Sequence, residues 1–255
     1  MEFIRLHPPV LFAVSFGVFL ITALLGARVR GPKAVLEEGI RADFDVVLAA
    51  TLTLLGLIIG FTFSMAISRY DQRKNLEEGE ANAVGTAFVR ADLLPPADGA
   101  KVRPLLRAYL DQRILFYTVQ DLNDVVLINA RAAQLQRQLW AAVQGPAMAQ
   151  PSPITALAVT SINEVLNSQG YTQAAWWNRI PIAAWILMIV MAICCNFLMG
   201  YGSRSTRGGF KLLVVLPLVV SIAFMLVADI DTPRRGVITV VPQNLISLAE
   251  SLRSQ

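Results

Sequence analysis

Four long apolar segments alternate with polar segments along the chain, at residues 10–27, 46–67, 180–199 and 212–228. As helices rising about 1.5 Å per residue, they would extend over about 26–33 Å, close to the roughly 30 Å of a bilayer's hydrocarbon core. The pattern therefore predicts four transmembrane helices. The first segment could also be the apolar core of a cleaved signal peptide, but it is long for one and lacks a well-placed cleavage site.

The second apolar segment has a distinctive pattern of small residues. Residues 46–67 contain no charged side chain. Small residues recur at every fourth position, which places them along one face of a helix. This small-residue stripe consists of Gly56, Gly60, Ser64 and Ser68. Helices in lipid associate through such faces because backbones can approach closely there. We therefore expect the stripe to pack against another helix.

A roughly opposite face of the same helix carries larger apolar side chains. This apolar face consists of Leu54, Ile58, Phe61 and Met65. Such a face could line a pore and form a hydrophobic constriction that gates by dewetting. It could equally contact lipid. Arg69, Arg73 and Lys74 follow the segment directly and would supply charge at the mouth of a pore.

Residues 68–179 contain no apolar run of membrane length, and helical periodicity dominates them. Asp121 can cap one helix, and Ser152-Pro153 has the pattern of another helix start. Gly145 and Pro146 should break the chain between those helices, and Gly170 should end the second one. We expect four amphipathic helices that form a bundle.

The predicted fold is an all-α membrane protein with a helical-bundle domain inserted between the second and third transmembrane helices. Its segments are residues 1–67, with the first two membrane helices, the extramembrane domain at 68–179, the last two membrane helices at 180–228 and a C-terminal tail at 229–255.

Composition supports a membrane location. Hydrophobic residues make up 55% of the chain and charged residues only 16%, whereas soluble domains carry about 25% charged residues. The net charge of +4 comes from basic residues near the ends of the apolar segments, a pattern of membrane orientation rather than of nucleic-acid binding. We therefore expect the lipid bilayer, and no nucleic acid, as a partner.

Charge also bears on topology. Seven basic residues lie in the two short linkers and four in the terminal tails. Because short loops rich in Lys and Arg stay in the cytoplasm, the count predicts linkers inside and the helical domain outside the cytoplasm. The linker residues are Arg28, Arg30, Lys33, Arg41, Arg204, Arg207 and Lys211.

The sequence offers little for catalysis, a metal or a cofactor. The single histidine, His7, has no nucleophile or base beside it, and the two cysteines are adjacent in an apolar run. The pair Glu77 and Glu80 could hold a metal or a proton, or simply form a solvated helix face. We expect no catalytic residues, no metal site and no cofactor.

A second acidic pair, Asp229 and Asp231, ends the fourth apolar segment, where the helix dipole disfavours negative charge. Arg234 and Arg235 are close in sequence. The four residues predict an ion-pair turn.

Three stretches resemble the bacterial bestrophin-like membrane family. They are GFTFSMAISRYD at 60–71, EANAVGTA at 80–87 with RADLLP at 90–95, and DIDTPRRG at 229–236. The resemblance implies a four-crossing protein of the bacterial inner membrane with a large domain between the second and third crossings. By analogy with bestrophin anion channels, it implies a homo-oligomeric ring around a pore for inorganic ions.

Two functions remain open. One is an oligomeric ion channel whose pore is lined by the second membrane helix. The other is a non-conducting membrane protein whose helical domain binds a partner or senses the envelope.

Overall fold

The structure is a computed structural model, and it describes residues 7–30, 38–203, 209–234 and 236–254. Eight α-helices and one short 3-10 helix account for nearly all of these residues. The helices are α1 (Pro8–Arg30), α2 (Glu38–Arg90), α3 (Pro96–Thr118), α4 (Leu122–Ala149), α5 (Pro153–Trp177), α6 (Ile182–Gly202), α7 (Gly209–Asp231) and α8 (Gln243–Arg253). The 3-10 helix, Ala91–Leu93, follows α2 directly.

Within the described residues, four helical segments are long and apolar enough to cross a membrane. They contain the four apolar segments that the sequence pattern predicts. The chain is therefore an all-helical, multi-pass membrane protein.

Helix α2 is the longest element, with 53 residues. No proline interrupts the chain between Pro32 and Pro95, so nothing in that interval removes a helical hydrogen bond or forces a break. The apolar segment and the polar segment after it therefore form one helix.

The chain divides into two compact units, and the division falls inside α2, between Ser68 and Arg69. The first unit contains Met1–Ser68 and Arg179–Ile238, with the four membrane segments. The second unit contains Arg69–Asn178 and Thr239–Gln255, so the C-terminal helix α8 belongs with the helical domain.

In the first unit, α1 packs against both α6 and α7. Gly26 and Gly200 make the contact with α6 so close that a methyl group at Gly26 would collide with the carbonyl of Phe197. A methyl group at Gly200 would collide with the carbonyl of Ala23. One turn before Ala23, Phe19 meets Phe224 of α7 edge to face, at 5.4 Å between ring centroids. These small residues let the backbones touch, which is how helices associate where lipid supplies no hydrophobic drive.

In the second unit, a single apolar core lies among the C-terminal part of α2, the helices α3, α4 and α5, and α8. The predicted helix starts are confirmed. The Asp121 carboxylate accepts the N–H of Asn123 at 2.8 Å. The Ser152 hydroxyl accepts the N–H of Thr155 at 3.1 Å, while Thr155 bonds back to the N–H of Ser152.

Two predicted helix ends are wrong. Helix α4 runs through Gly145 and Pro146 to Ala149, and α5 runs through Gly170 to Trp177. Pro146 is buried in the unit, and Trp176 packs on Phe116 with ring centroids 4.9 Å apart. This packing of the extra turns outweighs the roughly 1 kcal/mol by which glycine, and the roughly 3 kcal/mol by which proline, disfavours a helix interior.

Candidate functional site

The membrane part of α2 has three distinct sides. Leu55, Thr62 and Ala66 are buried against the rest of the first unit. The small-residue stripe is exposed, and a methyl group at Gly56 or Gly60 would have no atom within 4 Å. At 100° per residue, the centre of the stripe lies roughly 160° from the buried side. The stripe therefore has no packing partner within the described part of its own chain.

The apolar face forms the third side, roughly 110° from the stripe and roughly 90° from the buried side. Phe61 is 64% exposed and Leu54 45% exposed, while Met65 is exposed and Ile58 half-buried. One side of α2 thus contacts its own chain, and two sides of different character are available. Whether the apolar face lines a pore stays a prediction.

Threonine hydroxyls in this part of α2 donate hydrogen bonds to carbonyls of the same helix. The hydroxyl of Thr62 donates to the carbonyl of Ile58 at 2.7 Å, and that of Thr53 donates to Ala49 at 2.9 Å. Thr51 does the same with Val47 at 3.0 Å. The exposed surface between residues 46 and 67 therefore presents mainly hydrocarbon.

The three basic residues after this segment differ in their surroundings. The Arg73 side chain is buried in the second unit and donates to the carbonyls of Ala175 at 3.3 Å and Asn178 at 3.2 Å. These carbonyls end α5, so the guanidinium caps that helix. Lys74 is exposed and Arg69 is half-buried. A charge at a pore mouth therefore stays a prediction for Lys74 and Arg69, while Arg73 has a structural role that the sequence did not indicate.

The expectation that Glu77 and Glu80 form a solvated face is wrong, because both carboxylates are buried in the second unit. Glu77 accepts the N–H of Leu245 at 2.9 Å and the side-chain amide of Asn244 at 2.6 Å. It thereby caps the N-terminus of α8, where the helix dipole favours a negative charge.

Glu80 forms an ion pair with Arg113 of α3, and both side chains are inaccessible to solvent. Tyr117 and Thr172 donate their hydroxyls to the same carboxylate, each at 3.4 Å. The Arg113 guanidinium also lies over the ring of Phe116, 4.3 Å from its centroid. A buried pair of this kind persists only when further hydrogen bonds complete it.

This environment shifts the acidity of the groups around Glu80. Burial and then the negative charge of Glu80 raise the pKa of Tyr109 and of Tyr117 well above the ordinary tyrosine value. Burial alone would lower the pKa of Arg113, but the Glu80 carboxylate beside it raises that pKa overall. Arg113 therefore stays charged and both tyrosines stay neutral across the physiological pH range.

In the turn after α7, main-chain N–H groups donate hydrogen bonds to the two acidic side chains. Asp229 accepts the N–H groups of Val237 and Ile238, both at 2.8 Å. Asp231 accepts the N–H of Ile180, at 3.1 Å, just before α6 begins. A side chain at Gly236 would approach the carbonyl of Asp229 within 2.5 Å, so only glycine fits this close return.

The structure describes only part of the predicted ion-pair turn. Arg235 lies outside the described residues. Arg234 is half-buried, and an ion pair between the turn's acids and its arginines stays a prediction. Main-chain amides at Asp229 and Asp231 are partners that the sequence pattern did not indicate.

Among the residues that the structure describes, no cluster of three or more His, Cys, Asp or Glu side chains could hold a metal ion. The membrane helices and the buried acids thus define an integral membrane protein whose buried acids lie in the helical unit and in the turn after α7.

Comparison with protein-family models matches the chain to the bestrophin-like domain over residues 11–245. The chain therefore belongs to the bestrophin-like family, as the sequence motifs predicted. No curated protein sequence matches it.

Solved structures share the fold at low sequence identity. A variant of a bacterial bestrophin homologue from Klebsiella pneumoniae is 11% identical, with a TM-score of 0.66 and coverage of 95% of this chain and 94% of that one. Another structure of the Klebsiella pneumoniae homologue is 13% identical, with a TM-score of 0.65 and coverage of 98% and 99%. The likeness extends over essentially the whole of both chains.

Sequence reasoning missed the buried acid–arginine core. Glu80 lies within one of the family-like stretches, but its partner Arg113 is 33 positions away and has no motif around it. The one available signal was spacing, because Glu77, Glu80 and the apolar residues Ala81 and Val84 share a helix face.

Proposed function

We propose that the protein is an ion channel formed by several copies of this chain, with the apolar face of α2 lining the pore. The observation that carries the proposal is that the membrane part of α2 has one buried side and two exposed sides. Its buried side packs on the same chain, the small-residue stripe would contact a neighbouring copy, and the apolar face would point towards the axis of the ring. Membership of a fold family known for anion channels supports this assignment.

Surface chemistry of the second unit also supports assembly. Several large apolar side chains of α4 and α5 are exposed in the single chain: Val126, Leu127, Met148, Leu157 and Tyr171. These side chains are available to contact a neighbouring copy of the chain. A second copy of the chain is the partner that a ring requires, and the lipid bilayer would cover the apolar surface of the first unit.

Selectivity in this proposal comes from the ends of the pore, because residues 46–67 contain no charge. The side chains of Leu54, Ile58, Phe61 and Met65 would form an apolar neck that ions cross only when it is wet. Lys74 and Arg69 would favour inorganic anions at the mouth. The protein would reside in the bacterial inner membrane with its helical unit outside the cytoplasm.

The test is ionic current through purified protein in a planar bilayer. We expect Ile58→Ala and Phe61→Ala to raise the current, because a wider apolar neck dewets less readily. Ile186→Ala on α6 is the matched control, since Ile186 is likewise partly exposed in a membrane helix but lies outside the proposed neck.

Absence of current from wild type and from both neck variants, using folded oligomeric protein, would contradict the proposal. That outcome would favour the second function, a non-conducting membrane protein whose exposed apolar helical unit binds a partner or senses the envelope.

A further inference from the structure

A groove in the helical unit has the size and chemistry of a small-molecule site. It is an open groove between α4 and α5 with a volume of about 480 Å³. Ligand sites in proteins typically have volumes of about 300–1,000 Å³. Ala133 and Ala141 on α4 contribute only methyl groups, which leaves space beside larger neighbours.

The larger neighbours are mostly hydrogen-bond donors. Arg137, Trp140 and Gln144 follow one face of α4 at spacings of three and four residues, and Asn163 approaches from α5. All four side chains are exposed. None of the residues that line the groove is acidic.

Three other arginines of this unit lie beside a carboxylate. Arg113 pairs with Glu80, Arg103 with Asp92, and Arg253 lies 3.6 Å from Asp111. Within the described residues, no carboxylate lies at ion-pair distance from Arg137, although it stands in a groove rather than on a convex surface. The groove therefore presents one positive charge that the chain itself does not neutralise.

Trp140 determines the shape of what could bind. Its indole ring is 40% exposed at the groove, one turn of α4 from Arg137. An indole offers a flat apolar surface for stacking and a single N–H donor at its edge. The amides of Gln144 and Asn163 can both donate and accept hydrogen bonds.

We propose that this groove binds a planar organic monoanion, an aromatic or conjugated carboxylate. The carboxylate would accept hydrogen bonds from the Arg137 guanidinium in the two-pronged geometry that this pair favours. The flat body would lie against Trp140, above the methyl groups of Ala133 and Ala141. The site is independent of the proposed pore, and it lies entirely within the helical unit.

The probe for the test is 5-fluoroindole-3-acetate, with the neutral 5-fluoroindole-3-acetamide as its uncharged counterpart. Binding to the purified full-length protein in detergent is followed by broadening of the probe's fluorine NMR signal, with protein-free micelles as the blank. Wild type should bind the acid saturably and the amide at least about tenfold more weakly, as expected when one charge-assisted hydrogen bond is lost.

Three variants locate the site. Arg137→Gln removes the charge and Ala141→Phe fills the groove while keeping Arg137, and each should weaken binding of the acid at least about tenfold. Arg131→Gln is the matched control, because Arg131 is exposed on the same helix and bonds to Gln134 at 2.8 Å, outside the groove. It should bind like wild type.

Absence of saturable binding above the micelle blank would overturn the proposal, including the case in which a neighbouring copy covers the groove. Equal binding by wild type and Arg137→Gln would overturn it as well. Melting temperatures of all variants are measured in parallel, and Ala141→Phe provides a second route to the same conclusion should Arg137→Gln be misfolded. Channel activity does not enter this test, so its outcome is separate from that of the proposed function.

Discussion

At the scale of single residues, the buried charges of the helical unit stand out. Glu80 and Arg113 are withdrawn from water, and each depends on the other for compensation. The surface pair Arg103–Asp92 has similar chemistry, and Arg103 also lies over an aromatic ring, that of Phe88. The two pairs differ mainly in their exposure to solvent.

This difference predicts unequal effects of two matched substitutions. Arg113→Leu leaves Glu80 buried without its counter-charge and should destabilise the protein by about 3–5 kcal/mol. Arg103→Leu removes a solvent-exposed pair and should cost at most about 1 kcal/mol. Chemical or thermal unfolding of the purified variants measures both.

A further variant separates charge from packing at this site. Glu80→Gln combined with Arg113→Leu removes both charges, so it should recover part of the loss caused by Arg113→Leu alone. If Arg113→Leu unfolds like Arg103→Leu, or if the double variant is the least stable, the carboxylate does not depend on Arg113 as described.

At the scale of helices, the glycines fall into two groups with different surroundings. Gly26 and Gly200 lie where α1 and α6 touch backbone to backbone. Gly56 and Gly60 on α2 face open space in the single chain. The small-residue stripe therefore does not pack within the described part of its own chain, and we expect it to pack between chains.

Leucine substitutions should separate the two groups. Gly26→Leu or Gly200→Leu should destabilise the folded chain by at least about 1–3 kcal/mol, because the added atoms collide with main-chain carbonyls. Gly60→Leu should leave the fold of the single chain intact and weaken association between copies. Melting temperature and size in detergent, measured side by side, report the two effects separately.

Leu54→Ala is the control for α2, because Leu54 is exposed and lies on the apolar face, roughly 100° from the centre of the stripe. A Gly60→Leu protein that melts and elutes like wild type would show that the stripe is not a packing face.

The sequence predicted the helical elements better than their ends and partners. Apolar length and local caps such as Asp121 depend on residues close together in the chain, so they can be read directly. The ends of α4 and α5 depend instead on packing, which carried both helices past Pro146 and Gly170. The buried position of Glu77 likewise depends on its hydrogen bond with Leu245. That residue is 168 positions away, so no local pattern could indicate it.

At the scale of the whole molecule, the orientation in the membrane is the main prediction from charge. Arginines and lysines in the two short linkers predict that the helical unit lies outside the cytoplasm. Three of these residues, Lys33, Arg204 and Arg207, lie outside the described residues, so the prediction rests on sequence.

A pair of cysteine probes tests the orientation. Ala97→Cys lies on the exposed surface of α3, and Asp43→Cys lies exposed near the first linker, each in a variant with Cys194 and Cys195 replaced by alanine. A membrane-impermeant thiol reagent added to intact spheroplasts should label position 97 and not position 43. The reverse pattern would place the helical unit in the cytoplasm.

The position of Arg30 has a consequence for how the protein is made. Its guanidinium donates to the carbonyls of Tyr201, Gly202 and Ser203 at the end of α6, at 2.9–3.2 Å. Arg30 and Tyr201 are 171 positions apart, so a ribosome completes α1 long before it synthesises α6. The first membrane helix is therefore synthesised before either of the helices that it packs against, α6 and α7. The final packing of the membrane helices can therefore begin only after α6 has been synthesised, and it is complete only after α7.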